Sequence, residues 1–474
     1  MTESVSNAAT WATATFAANA LPDRRLHERL VRYGAAQAEE PAATTSAVCK
    51  GDSAAREGAY RFLENPRVRP EGIEAGPVAK AKADCAGRNV VLMIQDTTSA
   101  SVKYRPLADE IRSPGSPTGF MVHTTLAVDG ETGYPIGILD QQRWIRVPKA
   151  EREEVAGEST ALKESARWQN AAMRSKEVLA GGDAPFAGRI VSVADREADI
   201  YSLLRWHIEA HVGFVIRSKH NRAQADIAGL RIWDPLDGFR FLGTREITIP
   251  QRGGQGVSIN QKERAPRPKR TAQTELWACS QISIVDPKAE GKPIVVNAVL
   301  VRESNPPDGE EPLQWRLLTD EPVETPQDVL RIVRYYEQRW TIEEFHKIWK
   351  TGCRVQTRPL QDPETVERML VITAAVGIRL IQLHRLANAA DDNDTPCDKV
   401  MDEDKWRCLW AAVEPNAPMP SNPPTAHWAF RSVAKLGGWY DTKKTGRVGW
   451  QTVWRGWFKL QEYLVGWRAA RRLR

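Results

Sequence analysis

The stretch RNVVLMIQDTTS, residues 88–99, contains an unbroken apolar run that ends abruptly at Asp96. Such a run, without alternating polar residues, is typical of a strand that is covered on both faces of a sheet. The pattern recurs in RIVSVAD, residues 189–195, where Asp195 ends the run and a helical segment follows. The two runs predict an α/β sheet whose edge carries both aspartates, because open α/β sheets place their clefts at strand ends. Acids at strand ends also cap turns, so either aspartate alone is a weak indication of function.

The segments around these runs predict a mixed sheet with an insertion. GFMVHTTLAVDG (119–130) and GYPIGILDQQRWI (133–145) flank a glycine-rich turn, which predicts an antiparallel hairpin. HVGFVIRSKH (211–220) predicts another strand that ends on basic residues. From about 219 to 316 the periodicity is β-like and broken by turns. This pattern predicts an all-β insertion before LQWRLLT (313–319) returns the chain to the core.

Composition places this chain of 474 residues among multidomain globular proteins. No apolar run approaches the roughly 18 residues of a membrane span, and the first residues lack the basic and apolar blocks of a secretion signal. The cytosol is therefore the expected compartment. The six cysteines show no CxxC pair and no cysteine–histidine spacing suited to zinc, which argues against a structural metal or a disulfide framework.

The net charge of +6 is mild but unevenly distributed. Basic clusters occur in QKERAPRPKR (261–270) and in RAARRLR (468–474). Near the N-terminus, Arg25, Arg29 and Arg32 share one face of a predicted helix. Such clusters bind phosphate backbones in some proteins and form solvated surfaces in others, so charge alone leaves both interpretations open.

One long helix is predicted from Thr325, a residue suited to an N-cap that is followed by proline at the first helical position. Its later part, YYEQRWTIEEFHKIWK (335–350), combines rings with charges. Three of the rings are expected to pack the helix in place: Trp340, Phe345 and Trp349. At 100° per residue, one charged stripe lies within about 60° of a single face. Its members are Tyr336, Arg339, Glu343 and Lys350.

The chemistry that would need this stripe is metal-dependent phosphodiester displacement. Asp96, Asp195 and Glu343, on three separate elements, can hold two Mg²⁺ ions roughly 3.5–4 Å apart, which activate the attacking oxygen and stabilise the leaving oxygen. Arg339 and Lys350 would then bind phosphate, the first as a fork of donors and the second as a point charge. The alternative is a surface helix with i, i+4 ion pairs, which accounts for the charges but not for the rings between them.

Motifs along nearly the whole chain resemble the DDE transposases of the insertion-sequence-four family. The helix carries the YREK signature of that family, Y-x2-R-x3-E-x6-K, at residues 336–350. The other matching motifs, in chain order, are EGAYRFLENP (57–66), IQDTTS (94–99), ADREADI (194–200), RSKH (217–220), VNAVL (296–300), NPPDGE (305–310), LQWRLLT (313–319) and LGGWYDTKKTG (436–446). Each motif alone is modest, but their order and spacing together are specific.

The resemblance implies an α/β fold with three domains. A ribonuclease H-like catalytic domain, a mixed sheet with flanking helices, is expected at residues 73–373 and carries the β insertion at about 219–316. A helical DNA-binding domain is expected at residues 1–72, and a helical dimerisation domain at residues 374–474.

The resemblance also assigns roles to individual residues. Asp96, Asp195 and Glu343 would be the catalytic acids and the ligands of two Mg²⁺ ions, for which Mn²⁺ would substitute. Trp315 would stack on a flipped base at the end of the DNA, which would offset the cost of unstacking it. Gln95 stands where the family has an acid, and we expect this difference to alter local charge more than metal binding. The residues expected to contact DNA are Tyr336, Arg339, Lys350, Trp315, Arg217, Lys219, Lys347, Arg24, Arg25 and Arg29.

The implied reaction is cut-and-paste transposition through a DNA hairpin. A homodimer would bind the paired terminal inverted repeats of an insertion sequence and join them to target DNA, in the bacterial cytoplasm and on the nucleoid when bound to DNA. Two alternatives are a catalytically inert DNA-binding descendant or inhibitor, and a structure-specific nuclease of the same fold. The complete set of acids favours an active transposase, and short inverted repeats beside the coding region would discriminate it from both alternatives.

Overall fold

The computed structural model describes residues 7–104, 107, 118–146, 165–234, 236, 238–249, 268–286, 292–388, 395–440, 442 and 448–472. The basic run predicted at 261–270 lies outside the described residues except at 268–270. All six cysteines are free thiols. None of the described helices is both long enough and apolar enough to cross a bilayer.

The centre of the molecule is a ten-stranded mixed sheet. Within the described residues its strands lie in the order β3-β2-β1-β4-β5-β10-β9-β8-β6, and β7 pairs with β8. They are β1 (Val90–Ser101), β2 (Gly119–Asp129), β3 (Pro135–Ile145), β4 (Arg189–Ala194), β5 (Gly213–Arg217), β6 (Ala223–Gln224), β7 (Arg240–Ile249), β8 (Arg270–Val285), β9 (Ile294–Glu303) and β10 (Gln314–Thr319).

The first five strands and β10 form the part of the sheet that the apolar runs predict. β1 and β4 are parallel, as are β4 and β5, whereas β2 is antiparallel to β1 and β3, and β10 to β5. Residues 91–94 of β1 and 191–194 of β4 are buried, as in strands covered on both faces. The predicted mixed α/β sheet and the β2–β3 hairpin are therefore confirmed.

The strands predicted as an insertion extend this sheet. β9 pairs with β10, and β8 pairs with β9 and β7, all antiparallel. The insertion is thus continuous with the core through backbone hydrogen bonds, and β10, which carries Trp315, lies between the two parts.

Helices cover both faces of the sheet and form both ends of the chain. Along β1, Leu92 and Ile94 belong to a large core that includes the helices after β10, whereas Val91 and Met93 pack in a second core on the opposite face. The α-helices are α1 (Ala8–Thr15), α2 (Arg24–Glu39), α3 (Thr45–Val48), α4 (Ser53–Leu63), α5 (Pro70–Cys85), α6 (Ala166–Ala180), α7 (Tyr201–Glu209), α8 (Pro326–Gln338), α9 (Trp340–Lys347), α10 (Pro363–Ala387), α11 (Glu403–Val413), α12 (Ala426–Leu436) and α13 (Trp450–Arg472).

The helix predicted from Thr325 is present but consists of two segments. α8 begins with a capping box in which Thr325 and Asp328 exchange side-chain and backbone hydrogen bonds. Arg339 separates α8 from α9, and Ile348–Gly352 form a π-helical turn. Turns of this kind occur frequently at functional sites, because they change which side chains share a face.

Three buried arginines on or just before α10 attach the N-terminal helices to the sheet domain. Each donates hydrogen bonds to main-chain oxygens near the ends of those helices, where carbonyls lack intrahelical partners. The bonds run from Arg358 to Pro41 and Ala43, from Arg368 to Leu63 and Val68, and from Arg379 to Ala38.

The last helix contacts the same N-terminal region. Trp457 on α13 donates its indole N–H to the Glu39 carbonyl at 3.2 Å. The Lys405 ammonium, on the neighbouring α11, lies 3.7 Å from the Glu39 carboxylate. Leu460 and Leu464 continue the buried face of α13. The inner face of α13 is therefore part of the molecule's own core.

Replacement of Arg358 tests how much these buried arginines stabilise the fold. Arg358→Met leaves several buried oxygens without donors, and an unsatisfied buried group costs about 1–3 kcal/mol. We therefore expect a loss of at least ~2 kcal/mol in the free energy of unfolding, measured by urea denaturation. The control, Arg61→Met, removes an exposed arginine that pairs with Glu57, and its effect should stay within about 0.5 kcal/mol. Equal stability of the two variants would contradict this account.

Candidate active site

The three predicted acids lie on neighbouring elements near the carboxyl end of the central strand β4. In the parallel β1–β4 pair, Ile94 stands opposite Val193. Asp96 comes two residues after Ile94, and Asp195 two residues after Val193. Neighbouring strands lie roughly 4.8 Å apart, which places the two aspartates side by side. Glu343 projects from α9, which packs against β1.

Arg339 links two of these acids. Its Nη2 donates to Oε1 of Glu343 at 2.7 Å, and its Nη1 lies 3.9 Å from Oδ2 of Asp195. The predicted i, i+4 pair therefore exists, with the arginine side chain 7% and the glutamate side chain 38% exposed. The largely buried guanidinium is attracted by both carboxylates.

Asp96 has its own basic neighbours. Nδ1 of the buried His346 lies 3.6 Å from Oδ2 of Asp96, and Nζ of Lys350 donates to Oγ1 of Thr98 at 2.7 Å. Burial acts to raise the pKa of Asp96, but His346 and Arg339 outweigh it and hold that pKa below its ordinary value. Burial also lowers the pKa of Lys350, against the attraction of Asp96.

Glu343 shows the opposite shift. Burial raises the pKa of Glu343, the charges on Asp96 and Asp195 raise it further, and Arg339 opposes both. The net direction is upward. Burial and the two neighbouring carboxylates are therefore offset only in part at Glu343, whereas the basic neighbours of Asp96 outweigh its burial.

The donor set suits a divalent cation. Three carboxylates supply the hard oxygen ligands that Mg²⁺ and related ions require, and a bound dication would relieve their repulsion. Among the described residues, no three His, Cys, Asp or Glu side chains converge closely enough to form a ready-made metal site. In this arrangement Glu343 pairs with Arg339, and Asp96 lies beside His346.

Tyr336 and Trp315 pack against each other next to Asp195. The Tyr336 hydroxyl donates to Oδ1 of Asp195 at 3.3 Å, and burial raises the pKa of Tyr336 to about 12, so the hydroxyl remains a donor. The Trp315 ring packs edge-on against Tyr336 with centroids 4.9 Å apart. Tyr336 is only 3% exposed and Trp315 7%, so both predicted DNA contacts lie beneath the surface in the free chain.

The other predicted DNA contacts fall into two groups. Near the acids, Arg217 lies 3.9 Å from Oδ1 of Asp195, while Lys219 and Lys347 are exposed. The second group is on α2, at the far end of the chain's N-terminal helices. Its members are exposed, and they are Arg24, Arg25 and Arg29.

Two neighbours of the acids were not predicted. His346 lies three residues after Glu343, a spacing that places both on one helical face, so periodicity alone contained this signal. Trp340 is 45% exposed, and the Arg339 guanidinium lies 5.2 Å from its ring centroid. The expectation that Trp340 packs inward is wrong, since its ring lies exposed beside Arg339, whereas Phe345 and Trp349 are buried as expected.

Gln95 belongs to a buried row of hydrogen-bonded side chains next to Asp96. Nε2 of His123 and Oε1 of Gln95 lie 3.1 Å apart, and Nδ1 of His123 is 2.8 Å from Oγ1 of Thr97. Burial lowers the pKa of His123 to about 3, so this ring is neutral. A neutral row of side chains thus occupies the place where the resemblance predicts an acid, and it adds no further negative charge beside Asp96.

A mixed sheet flanked by helices is the ribonuclease H-like core of the DDE transposase class. Asp195 directly follows β4 as expected, whereas Asp96 lies within β1, which continues to Ser101 through its pairing with β2. The chain matches the transposase DDE domain family over residues 118–376, which is more than half of its 474 residues, and therefore belongs to that family. Residues 8–68 match the transposase DNA-binding family. The protein is thus a DNA-binding transposase, a class whose DDE domains use divalent metal ions. Asp195 and Glu343 lie within the first match, and Asp96 precedes it.

The raised pKa of Glu343 predicts that its charge destabilises the metal-free protein. A carboxyl whose folded pKa exceeds its unfolded value loses stabilisation as pH rises through that interval, so the cost is complete near neutral pH. Glu343→Gln should therefore raise the free energy of unfolding at pH 7, by only a few tenths of a kcal/mol because solvent screens this 38% exposed side chain. The gain should vanish below roughly pH 4, where the unfolded glutamate is also protonated.

The measurement is urea denaturation with a chelator at both pH values. The exposed Glu28, which pairs with Arg24 on the surface, supplies the control variant Glu28→Gln, for which little change is expected at either pH. A Glu343→Gln protein less stable than the wild type at pH 7 would show that Arg339 more than compensates the repulsion.

Proposed function

We propose that this chain is a cut-and-paste DNA transposase of the insertion-sequence-four family, in the group of the transposon-five transposase. The observation that carries the proposal is that Asp96 and Asp195 lie on adjacent strands while Arg339 pairs with both Asp195 and Glu343. Membership in the DDE domain family and the N-terminal DNA-binding match supply its context. Fold alone would not carry an activity, because function depends on the site.

Asp96, Asp195 and Glu343 are proposed as ligands of two Mg²⁺ ions, with Mn²⁺ as a substitute. Bound cations of this kind activate an attacking oxygen and stabilise the leaving oxygen at a phosphodiester. The carboxylates fit this role because they come from three elements with little freedom to move. β1 and β4 are central strands, and α9 is packed against β1.

The basic side chains are proposed to hold the DNA backbone. The Arg339 fork, already beside two of the acids, can donate two parallel hydrogen bonds to a phosphate. Lys350 and Lys347 would neutralise phosphate charge, and Arg217 would do so from the end of β5. The Tyr336 hydroxyl, a donor held at Asp195, would contact a phosphate next to the scissile bond.

The proposed reaction consists of four in-line transfers at phosphorus. Water cleaves one strand at the transposon end and releases a 3′-OH, which attacks the opposite strand to close a hairpin and free the flanking DNA. A second water opens the hairpin, and the regenerated 3′-OH then attacks target DNA. Each transfer exchanges one oxygen for another, so a single site serves all four. Closing the hairpin requires the end of the DNA duplex to be distorted. Trp315 is proposed to stabilise this distorted DNA end by stacking on a flipped base.

The remaining parts of the chain are proposed to bring two DNA ends together. Residues 1–72 would read the terminal repeat through Arg24, Arg25 and Arg29, which are exposed along α2. Residues 374–474 would form the homodimer contact. On α13, Phe458, Tyr463 and Val465 are exposed beside the buried face, which supports this assignment.

The direct test uses purified protein and a duplex that ends in the inverted repeat beside its coding region. With Mg²⁺ we expect cleavage and a hairpin visible on denaturing gels. Asp96→Asn and Glu343→Gln should each reduce cleavage by about a thousandfold or more, since metal ligation supplies several kcal/mol of transition-state stabilisation.

Binding to the same duplex, measured for each variant, is the control and should persist. Undiminished cleavage by either variant would refute the site. Binding without cleavage by the wild type in Mg²⁺ or Mn²⁺ would instead favour an inert DNA-binding descendant.

A further inference from the structure

A fully buried aspartate stands four residues after Asp195. The chain passes from Asp195 through a 3₁₀ turn, Arg196–Ala198, to Asp199, whose side chain has no solvent exposure. A buried carboxylate is costly unless its oxygens accept hydrogen bonds, so the partners of Asp199 show which part of the fold it organises.

All of those partners belong to one loop, residues 218–222, which follows β5. Oδ2 of Asp199 accepts from the backbone N–H groups of Lys219 at 2.6 Å and His220 at 2.8 Å, and the Ser218 hydroxyl lies 3.4 Å away. The Arg222 guanidinium binds Oδ1 and also donates to the Asp199 carbonyl. One carboxylate therefore holds the whole loop against the turn that begins at Asp195.

The same loop has a second attachment on its other side. Trp233 donates its indole N–H to the Ser218 hydroxyl at 3.1 Å, and the Ser218 N–H donates to the Arg316 carbonyl at 2.7 Å. Arg217, directly before the loop, lies 3.9 Å from Asp195. The loop is thus fixed between the site and β10.

We propose that Asp199 is a positioning residue that sets Arg217 and Lys219 against the DNA backbone at a constant distance from Asp195. The inference rests on the proposed function, because it assumes that these two bases contact phosphate. The turn Arg196–Ala198 connects Asp195, which would be a metal ligand, to Asp199, which holds the loop of residues 218–222. Such a link matters because a misplacement of about 1 Å can cost a hundredfold in rate.

The buried Asp199 carboxylate is useful because it fixes the conformation of the loop, and not because it adds stability. Well-packed apolar residues are often as stabilising as a buried ion pair, but they do not select one loop conformation through directed hydrogen bonds. Two adjacent backbone N–H groups converge on one oxygen of Asp199, and this arrangement determines the direction in which the Lys219 side chain leaves the loop.

The test compares Asp199→Asn, Arg217→Ala, Lys219→Ala and the two double variants in the full chain. The readout is the affinity for the terminal-repeat duplex as a function of salt, since each phosphate contact contributes about 0.9 to the slope of log K against log salt. Asp199→Asn should lower the slope by about one to two contacts and the affinity by about tenfold or more. In the Asp199→Asn background, Arg217→Ala and Lys219→Ala should have little further effect, because the contacts are already lost.

Asp129→Asn is the matched control. Asp129 is buried, accepts hydrogen bonds from two backbone N–H groups at 2.9 Å and pairs with Arg88. Asp199 likewise accepts from two backbone N–H groups and pairs with an arginine. Asp129 stands opposite Val91, five residues before Asp96 and thus roughly 17 Å along the strand from the site. Loss of stability in this variant without a change in salt slope would show that destabilisation alone does not produce the effect.

Ser218→Ala provides a second, milder variant should Asp199→Asn fail to fold. It removes one contact of Asp199 and the acceptor of the Trp233 indole, and it should shift the slope in the same direction. An unchanged slope in the folded Asp199 or Ser218 variant, or additive effects in the double variants, would overturn the inference. Failure of the wild type to cleave while these slopes shift as expected would refute the proposed catalysis and leave the positioning role intact.

Discussion

The rest of the structure depends on three carboxylates that the backbone brings close together and that need positive partners. Asp96 and Asp195 are neighbours because β1 and β4 pair in parallel, and Glu343 is added by a helix packed on β1. Burial strengthens the repulsion among them by lowering the local dielectric. The neighbouring bases, Arg339 above all, are arranged as the protein's own counterions.

These counterions are also the groups proposed to bind DNA. Arg339 and Lys350 lie close to the acids in the free chain, where each offsets negative charge that would otherwise destabilise the fold. A phosphate is another anion of the same kind, so recognition would exchange one anionic partner for another. Tyr336 and Trp315, the other proposed DNA contacts, pack against each other as buried core in the free chain.

Much of the fold could be predicted because its strongest signals are local. Unbroken apolar runs indicated β1 and β4, a glycine-rich turn indicated the β2–β3 hairpin, and Thr325 with Pro326 marked the start of α8. The break at Arg339 was not predicted, because the helical pattern continues through it. The exposure of Trp340 was not predicted either, and the pairing of β9 with β10 depends on partners distant in the chain.

The sequence by itself determined the acids, their spacing from the basic residues, and the family whose motifs they share. Those features are carried by residue type and short-range order, which a linear pattern preserves. Only the tertiary structure decided that Arg339 turns toward Asp195, that His346 lies against Asp96, and that Asp199 holds the loop after β5. The physical reason is that electrostatic and hydrogen-bond partners are selected by distance in space, and strand pairing creates distances that sequence separation does not contain.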